Sequence, residues 1–352
     1  MAGKSTEDTI LDNFKLFVDE NYAKCINVPS HPPDYAKIIE WQCSQCGEIP
    51  REFSFLVGKY LRHISFTEFH SKLAQLASAI RQMNNENKYE DIYIVIFGGL
   101  NKSNFWVSIL LFRLLENIIT GILDNGSGKM AYWANNKKIL LLVPDDMSYM
   151  GGQLSANLLN FSGLIPGMDI LTRENITTLI ACPYIGIGAK IVFFNIKPKH
   201  NVIISGVSEI IPTFLDYIIR DNPVGRKLVD RKIMTKYFVF DRAYYKAFLY
   251  KYTLYLIYFD HKLADGVSIF QKMLALGTYY NCDNTIGLMG PLIQNCKLEN
   301  YKVKNIPPSP DQLFDDFDKT NVCPLPYYKT IQYTYKGNII NTKDEINMAK
   351  IF

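Results

Sequence analysis

The sequence predicts an α/β fold in which a mostly parallel sheet is covered by helices on both faces. Short runs that are apolar at every position, such as IYIVIF and ILLLV, alternate along the chain with longer segments of helical periodicity. Such strands are typical of parallel sheets, because helices on both faces keep water away from them. Glycines follow several of these runs, as expected where a strand turns into a helix.

The two ends of the chain differ from this pattern. Residues 1–60 mix polar, proline-bearing and cysteine-bearing segments, such as SHPPDY and EWQCSQCGEIPREF. We expect them to form an N-terminal extension with little regular structure, which could act as a hood over a core at 61–284. Residues 285–352 include NIPPSPDQLFDDFD. Proline fits neither a helix interior nor a central strand, so we expect a C-terminal extension that serves as a linker or a wrap-around arm.

The first strong helical signal follows Ser65. Ser65 and Glu68 have the spacing of a capping box, which marks the start of a helix. The apolar residues that follow share one helical face, namely Phe69, Leu73, Leu76, Ala77 and Ile80. This face should pack on the core.

The strand–glycine–helix order then recurs along the chain. IYIVIF leads to a glycine loop and to a long apolar helix from about Phe105. Arg113 and Glu116 interrupt this apolar stretch, and their cost at a bilayer centre predicts a buried helix rather than a membrane span. The order repeats at KKILLLV with QLSANLLNFS and at TTLIACPYI, and a later apolar run, YTLYLIYF, ends at Asp260.

The loop after KKILLLV carries the strongest chemical signal. In VPDDMSYMGGQ, two adjacent carboxylates precede two glycines at the exit of a strand, where ligands bind in such sheets. Adjacent carboxylates repel each other and need cations or hydroxyl groups as partners. Backbone N–H groups of a glycine loop at the start of a helix bind phosphate. A phosphorylated ribose combines both requirements.

The stretch LLLVPDDMSYMGGQ resembles the signature of the type I phosphoribosyltransferases. That signature has four apolar residues, two acidic residues, three variable positions and a Thr-Gly-Gly-Thr-like phosphate loop. The resemblance covers residues 90 to about 270 and depends mainly on this motif. It implies a phosphoribosyltransferase-like fold that binds phosphoribosyl pyrophosphate or a nucleotide with Mg²⁺ and transfers the phosphoribosyl group to a base or another acceptor.

The resemblance also implies roles for individual residues. Asp145 and Asp146 would be the catalytic acids, holding the ribose hydroxyls and Mg²⁺. The 5′-phosphate would be bound by the loop that follows, at Ser148, Tyr149, Met150, Gly151, Gly152 and Gln153. The earlier loop GGLNKSN takes the place of the family's pyrophosphate loop, where the diphosphate would be met by Gly98, Gly99, Lys102 and Ser103. Lysine suits this role as a compact point charge.

A second substrate-binding segment is expected at LYLIYFDHKLADGVS. As a strand exit on the same sheet edge, it could offer a base-stacking aromatic and a base or metal contact through Tyr258, Phe259, Asp260 and His261. His261 is the first choice for a pH-dependent role. The alternative, a turn with a helix N-cap at Asp265, stays open.

Three departures from the family signature favour a different function. Tyr149, Met150 and Gln153 stand where small or hydroxyl-bearing residues are usual. The alternative is a catalytically inactive domain that senses a nucleotide or serves as a scaffold for protein interaction, so whether the protein is an enzyme stays open.

Cofactors, partners and compartment follow from composition. Cys43 and Cys46 form one CxxC, which Cys25 and His31 could complete as a zinc site, but the irregular spacing favours reduced thiols. Seven cysteines, an odd number, and an N-terminus without an apolar signal core indicate a reducing, cytoplasmic compartment. A net charge of +4 is too mild to indicate nucleic acid. We expect no membrane partner, and a homodimer stays open.

Overall fold

The computed structural model describes residues 6–30, 59–124, 137–149, 151–162, 173–196, 201–213, 257–262 and 327–340, with positions 32, 216 and 255. The chain divides into two compact units. The first consists of Met1–Val28, Thr67–Ile210 and Tyr328–Phe352, and the second of Pro29–Phe66 and Ile211–Tyr327.

Helices and strands alternate through most of the described residues. The helices are α1 (Thr6–Ile26), α2 (Phe66–Asn87), α3 (Ser103–Leu115), α4 (Gly152–Ser162), α5 (Ile187–Ile196) and α6 (Tyr327–Thr330). The first six strands are β1 (Arg62–Ile64), β2 (Asp91–Ile96), β3 (Gly121–Asp124), β4 (Ile139–Pro144), β5 (Met147–Ser148) and β6 (Ile176–Ala181). The others are β7 (Tyr184–Gly186), β8 (Val202–Ile204), β9 (Glu209–Ile211), β10 (Ile257–Phe259), β11 (Tyr333–Tyr335) and β12 (Asn338–Ile340).

A five-stranded parallel sheet forms the centre of the first unit. Its strand order is β3-β2-β4-β6-β8, and every neighbouring pair is parallel. Counted from β2, this is the order 2-1-3-4-5 of doubly wound α/β folds. The chain order reverses between β2 and β4, so the carboxyl ends of these two strands form the topological switch point. The predicted parallel α/β architecture is confirmed.

Helices cover both faces of this sheet, which explains why its strands are largely apolar. Every residue of β2, β4 and β6 is buried. One face packs against α4 and α5 through Leu154, Leu158, Phe161, Ala189 and Phe193. The helix α3 contacts β2 and β4, and most of its residues are buried, as predicted for this apolar segment. Within the described ranges, no helix has both the length and the apolar character needed to cross a membrane.

The prediction for α2 is confirmed in detail. The helix begins directly after Ser65, and its buried side chains are the five predicted ones, Phe69, Leu73, Leu76, Ala77 and Ile80. The ring of Phe69 stacks on Trp106 of α3, with 5.7 Å between the ring centroids. The periodic face therefore packs on a neighbouring helix of the same core.

The prediction of little regular structure at the N-terminus is wrong for residues 6–26, which form α1. Phe14, Phe17 and Val18 are fully buried, and the rings of Phe14 and Phe112 lie 5.2 Å apart. These apolar residues recur at helical spacing. The helical signal was obscured by the polar, proline-bearing segment that follows them. The helix is part of the first unit.

Part of the predicted C-terminal extension also packs on the core. Strands β11 and β12 form an antiparallel hairpin. The buried side chain of Asn21 in α1 donates to the carbonyl of Thr334 at 2.6 Å and accepts from its N–H at 2.8 Å. One amide side chain thus takes the place of a strand neighbour for β11. The proline cluster at 307–310 lies outside the described residues.

Two smaller sheets complete the described structure. In the second unit, β10 pairs with β1 as a parallel two-stranded sheet. The run YTLYLIYF was expected to end at the edge of the main sheet. This expectation is wrong, because β10, the described strand of this run, pairs with β1 instead. The other small sheet has three strands in the order β5-β7-β9. Along the chain, each of them comes a few residues after a strand of the main sheet, namely β4, β6 and β8.

Candidate functional site at the switch point

The loops after β2 and β4 meet at the switch point, as expected for the two predicted binding loops. The Ser103 hydroxyl, in the first turn of α3, donates a 2.6 Å hydrogen bond to Oδ1 of Asp145 in the loop after β4. This contact joins two segments that are 42 residues apart in sequence. The main sheet therefore brings together a serine and an aspartate that the motif analysis assigned to different parts of one ligand.

The loop after β2 is compact and ends at α3. Gly98 has a φ of +86°, and a Cβ there would lie 3.2 Å from Cγ of Lys102. The Lys102 N–H donates to the carbonyl of Gly99 at 3.0 Å, and Lys102 then enters α3 in an extended conformation. Gly98 and Lys102 are exposed, while Gly99 is half-buried. An ammonium group is thus available to solvent at this strand end.

The two adjacent acids after β4 occupy different environments. Asp145 is half-buried, and its Oδ1 also accepts the N–H of Asp146 at 3.0 Å. Asp146 is fully buried, and its Oδ1 accepts the N–H of Met147 at 2.7 Å. A ligand in solvent can therefore reach Asp145 but not Asp146 in this conformation. The sequence predicted a joint role for the pair and gave no sign of this difference.

The predicted phosphate loop is partly strand and partly helix start. Ser148 is buried and pairs with Ile185 in the small sheet. The Tyr149 hydroxyl is buried, and the backbone carbonyl of this residue accepts the N–H of Ala189 at 3.3 Å. Met150 lies outside the described residues. The part of the loop that ligands could reach is therefore shorter than the motif suggests.

Gly151 and Gly152, at the start of α4, have different roles. Gly151 is buried with a φ of +73°, and a Cβ there would lie 3.0 Å from Cα of Ala189. Gly152 and Gln153 are exposed in the first turn. A Cβ on Gly152 would meet no atom within 4 Å. Gly151 therefore permits close packing against α5, while Gly152 leaves the helix N-terminus open to an anion.

The oxygen groups at the switch point suit a magnesium ion that is held largely by its substrate. Mg²⁺ is usually bound by one or two carboxylates together with substrate phosphates and water. Asp145 supplies one such carboxylate, with the Ser103 hydroxyl beside it. In the described ranges, no three His, Cys, Asp or Glu side chains converge as a metal cage would require.

The second predicted segment belongs to a hydrogen-bonded cluster in the second unit. Oδ1 of Asp260 lies 2.7 Å from Nε2 of His63, and its Oδ2 accepts the N–H of Phe66 at 2.9 Å. The rings of Tyr258 and His63 lie 5.0 Å apart. The side chains of all four predicted residues are buried, namely Tyr258, Phe259, Asp260 and His261. Their packing favours a structural role, and Asp265 lies outside the described residues.

Of the four residues considered for zinc, the structure describes only Cys25. It is buried in α1, and burial raises the pKa of its thiol to about 12. A thiol must lose its proton to bind zinc, so this environment disfavours it as a ligand. His31, Cys43 and Cys46 lie outside the described residues.

One residue at the switch point, Asn104, is not among the predicted site residues. Its side chain is buried next to Ser103 and contacts the ends of both β2 and β4. The signal was present, because an asparagine in the first turn of an otherwise apolar helix needs buried hydrogen-bond partners.

The sequence matches no protein-family model and no curated protein, so the assignment of a function depends on the geometry of the site.

Proposed function

We propose that the switch-point crevice binds a phosphorylated ribose compound, phosphoribosyl pyrophosphate or a nucleotide, together with Mg²⁺. The hydrogen bond between Ser103 and Asp145 is the observation that supports this most, because it brings the two predicted binding loops together where the strand order reverses. Crevices at this point are the usual ligand sites of open α/β sheets.

Asp145 would be the group that meets the sugar or the metal. Its carboxylate is half-buried, and Oδ1 already accepts two hydrogen bonds. An ionised carboxylate has about four acceptor sites, so we expect it to accept ribose hydroxyls or to hold a cation in addition to these bonds. Asp146, being buried, would hold the loop in shape instead.

The phosphate groups would lie at the two helix starts on either side of Asp145. Gly152 and Gln153 open the first turn of α4, whose backbone N–H groups and dipole favour an anion. Lys102 enters α3 from the neighbouring loop and is exposed. A diphosphate on one side and a 5′-phosphate on the other would match the two ends of phosphoribosyl pyrophosphate. A phosphoribosyltransferase-like fold and transfer of the phosphoribosyl group belong to this proposal.

Burial of Asp146 and of the Tyr149 hydroxyl favours the second candidate function, binding without turnover. A site with one accessible carboxylate can recognise a ribose and a metal, but it offers less negative charge to the positive charge that develops at C1′ during transfer. In that case the domain is a nucleotide sensor or an interaction scaffold.

Titration calorimetry on the full chain tests the binding proposal. The probes are phosphoribosyl pyrophosphate, ribose 5-phosphate, pyrophosphate and AMP, each with and without Mg²⁺. We expect phosphoribosyl pyrophosphate to bind more tightly than ribose 5-phosphate or pyrophosphate, because only the intact compound occupies both ends of the crevice at once. The absence of heat from every probe at millimolar concentration would overturn the proposal.

A second assay separates the two candidate functions. Pyrophosphate release is followed with phosphoribosyl pyrophosphate, Mg²⁺ and a panel of purine and pyrimidine bases. Release that depends on a base indicates a transferase. Binding without release across the whole panel indicates a sensor.

A further inference from the structure

Asn104 connects the ends of the two strands that border the switch point. It follows Ser103 in the first turn of α3 and is only 6% exposed. Its side-chain amide makes hydrogen bonds to three backbone groups at the carboxyl ends of β2 and β4. Asn104 belongs neither to the predicted binding motifs nor to the proposed ligand contacts.

The strands β2 and β4 separate from each other at this point, while each keeps its outer neighbour. Their mutual register runs only as far as the pair Ile94 and Leu142. By contrast, β2 stays paired with β3 through Ile96, and β4 stays paired with β6 through Pro144. The gap therefore opens only between the two switch-point strands.

The Asn104 amide replaces a strand backbone along the open edge of β2. Nδ2 donates to the carbonyl of Val95 at 3.3 Å, and Oδ1 accepts the N–H of Phe97 at 2.5 Å. A residue in a parallel neighbouring strand bonds in the same pattern, donating to one carbonyl and accepting from the N–H two residues further on. The end of β2 therefore keeps its hydrogen bonds without β4.

The same amide also satisfies the end of β4. Nδ2 of Asn104 donates to the carbonyl of Pro144 at 2.5 Å, and its two hydrogens suffice for both carbonyls. Pro144 has no N–H to offer the gap. The N–H of Asp145 donates to the carbonyl of Ala181 in β6 at 3.4 Å, on the side of β4 away from β2. Proline is thus compatible with the end of β4, because the Asn104 side chain replaces the hydrogen bonds of a neighbouring strand there.

We infer that Asn104 is a positioning residue, which holds the ends of β2 and β4 apart and sets Ser103 against Asp145. Ser103 is its neighbour in α3, and Asp145 follows the carbonyl that it binds, so both halves of the crevice depend on one amide. Affinity for ligand should then depend on a buried residue that touches no ligand. The affinity part of this inference rests on the proposed function.

The substitution Asn104→Asp tests this, with Ser108→Ala as the matched control. Aspartate keeps the size and the acceptor oxygen of asparagine but turns a second oxygen toward two carbonyls. Ser108 is buried one turn further along α3, where its hydroxyl donates to the backbone carbonyl of Asn104 at 2.7 Å. Both variants thus lose a buried hydrogen bond in the same helix, but only one loses the bonds between the strand ends.

Two readouts are compared in the full chain: hydrogen–deuterium exchange of the peptides 95–103 and 145–149, and the Kd of Mg²⁺-phosphoribosyl pyrophosphate. For Asn104→Asp we expect exchange in both peptides to speed up about tenfold or more and the Kd to rise about tenfold. For Ser108→Ala we expect both to stay within about twofold.

Unchanged exchange in both peptides of Asn104→Asp would overturn the inference. If the unmodified protein binds none of the probe, the proposed function fails, and the exchange readout alone decides the role of Asn104. If Asn104→Asp does not fold, Asn104→Ser is measured against the same thresholds, because serine keeps one donor and one acceptor but is too short to reach both strands.

Discussion

The hydroxyl of Ser103 lies 2.6 Å from Oδ1 of Asp145 and joins the start of α3 to the loop after β4. The two residues follow strands that are neighbours in the sheet but not consecutive along the chain, so the 2-1-3-4-5 strand order brings them together. The proposed ligand site is therefore a product of the topology as much as of the acidic motif.

Removal of this contact should weaken ligand binding and the fold by similar free energies. Ser103→Ala removes the donor while Asp145 keeps the N–H of Asp146. We expect unfolding free energy to fall by about 1 kcal/mol and affinity for Mg²⁺-phosphoribosyl pyrophosphate to fall about five- to tenfold. Urea unfolding and calorimetry measure the two effects. Ser78→Ala, at an exposed serine of α2, is the control and should change neither.

The two glycines before α4 should respond differently to alanine. In Gly151→Ala, a positive φ and a Cβ 3.0 Å from Cα of Ala189 should lower the unfolding free energy by about 1–3 kcal/mol. Gly152→Ala meets no atom within 4 Å and should stay within about 0.5 kcal/mol of the unmodified protein. Denaturant unfolding of both variants checks this, and equal losses would contradict the packing role assigned to Gly151.

Cys25 should resist alkylation in the native protein. Burial raises the pKa of its thiol to about 12, so at pH 8 only roughly one molecule in ten thousand carries the thiolate that reacts. We expect iodoacetamide to label Cys25 only after denaturation, as read by peptide mass spectrometry. Labelling at the same rate in native and denatured protein would show that this part of α1 is open to solvent.

His70 should make stability decrease as the solution is acidified. Burial lowers its pKa below the ordinary value of 6.5, and its Nε2 lies 3.4 Å from the Tyr22 hydroxyl of α1. Between the lowered pKa and 6.5 the unfolded chain binds more protons than the folded one, so stability rises with pH through this window and is lost below it. His70→Gln should flatten this part of the stability curve. An identical slope in both proteins would contradict the burial.

The sheet and its helices were predictable because their signals are long and periodic. The buried face of α2 and the continuously apolar strands β2 and β4 follow directly from the residue pattern. The strand order could not be predicted, because pairing between parallel strands depends on contacts far apart in sequence. The small strands β5, β7 and β9 have only two or three residues each, too few to show a period.

The site was predictable in its location but not in the orientation of its side chains. The motif identified Asp145 and Asp146 together, yet the first is half-buried and the second fully buried. That difference arises because β5 begins at Met147, whose N–H donates a hydrogen bond to Oδ1 of Asp146. An asparagine in the apolar helix α3 indicates buried hydrogen-bond partners, but no local pattern shows that a gap between two strands supplies them, so the role of Asn104 could not be predicted.

The adjacent acids provide the most direct test of the proposed site. Asp145→Asn and Asp146→Asn are the same chemical change one residue apart, and Asp91→Asn is the control at the amino end of β2, where Asp91 pairs with Lys137 at 3.0 Å. The measurement is the Kd of Mg²⁺-phosphoribosyl pyrophosphate by calorimetry, at a temperature where all three variants are folded. We predict that Asp145→Asn weakens binding about tenfold or more while Asp146→Asn and Asp91→Asn stay within about threefold. Binding that survives Asp145→Asn but is lost in Asp146→Asn would contradict the account.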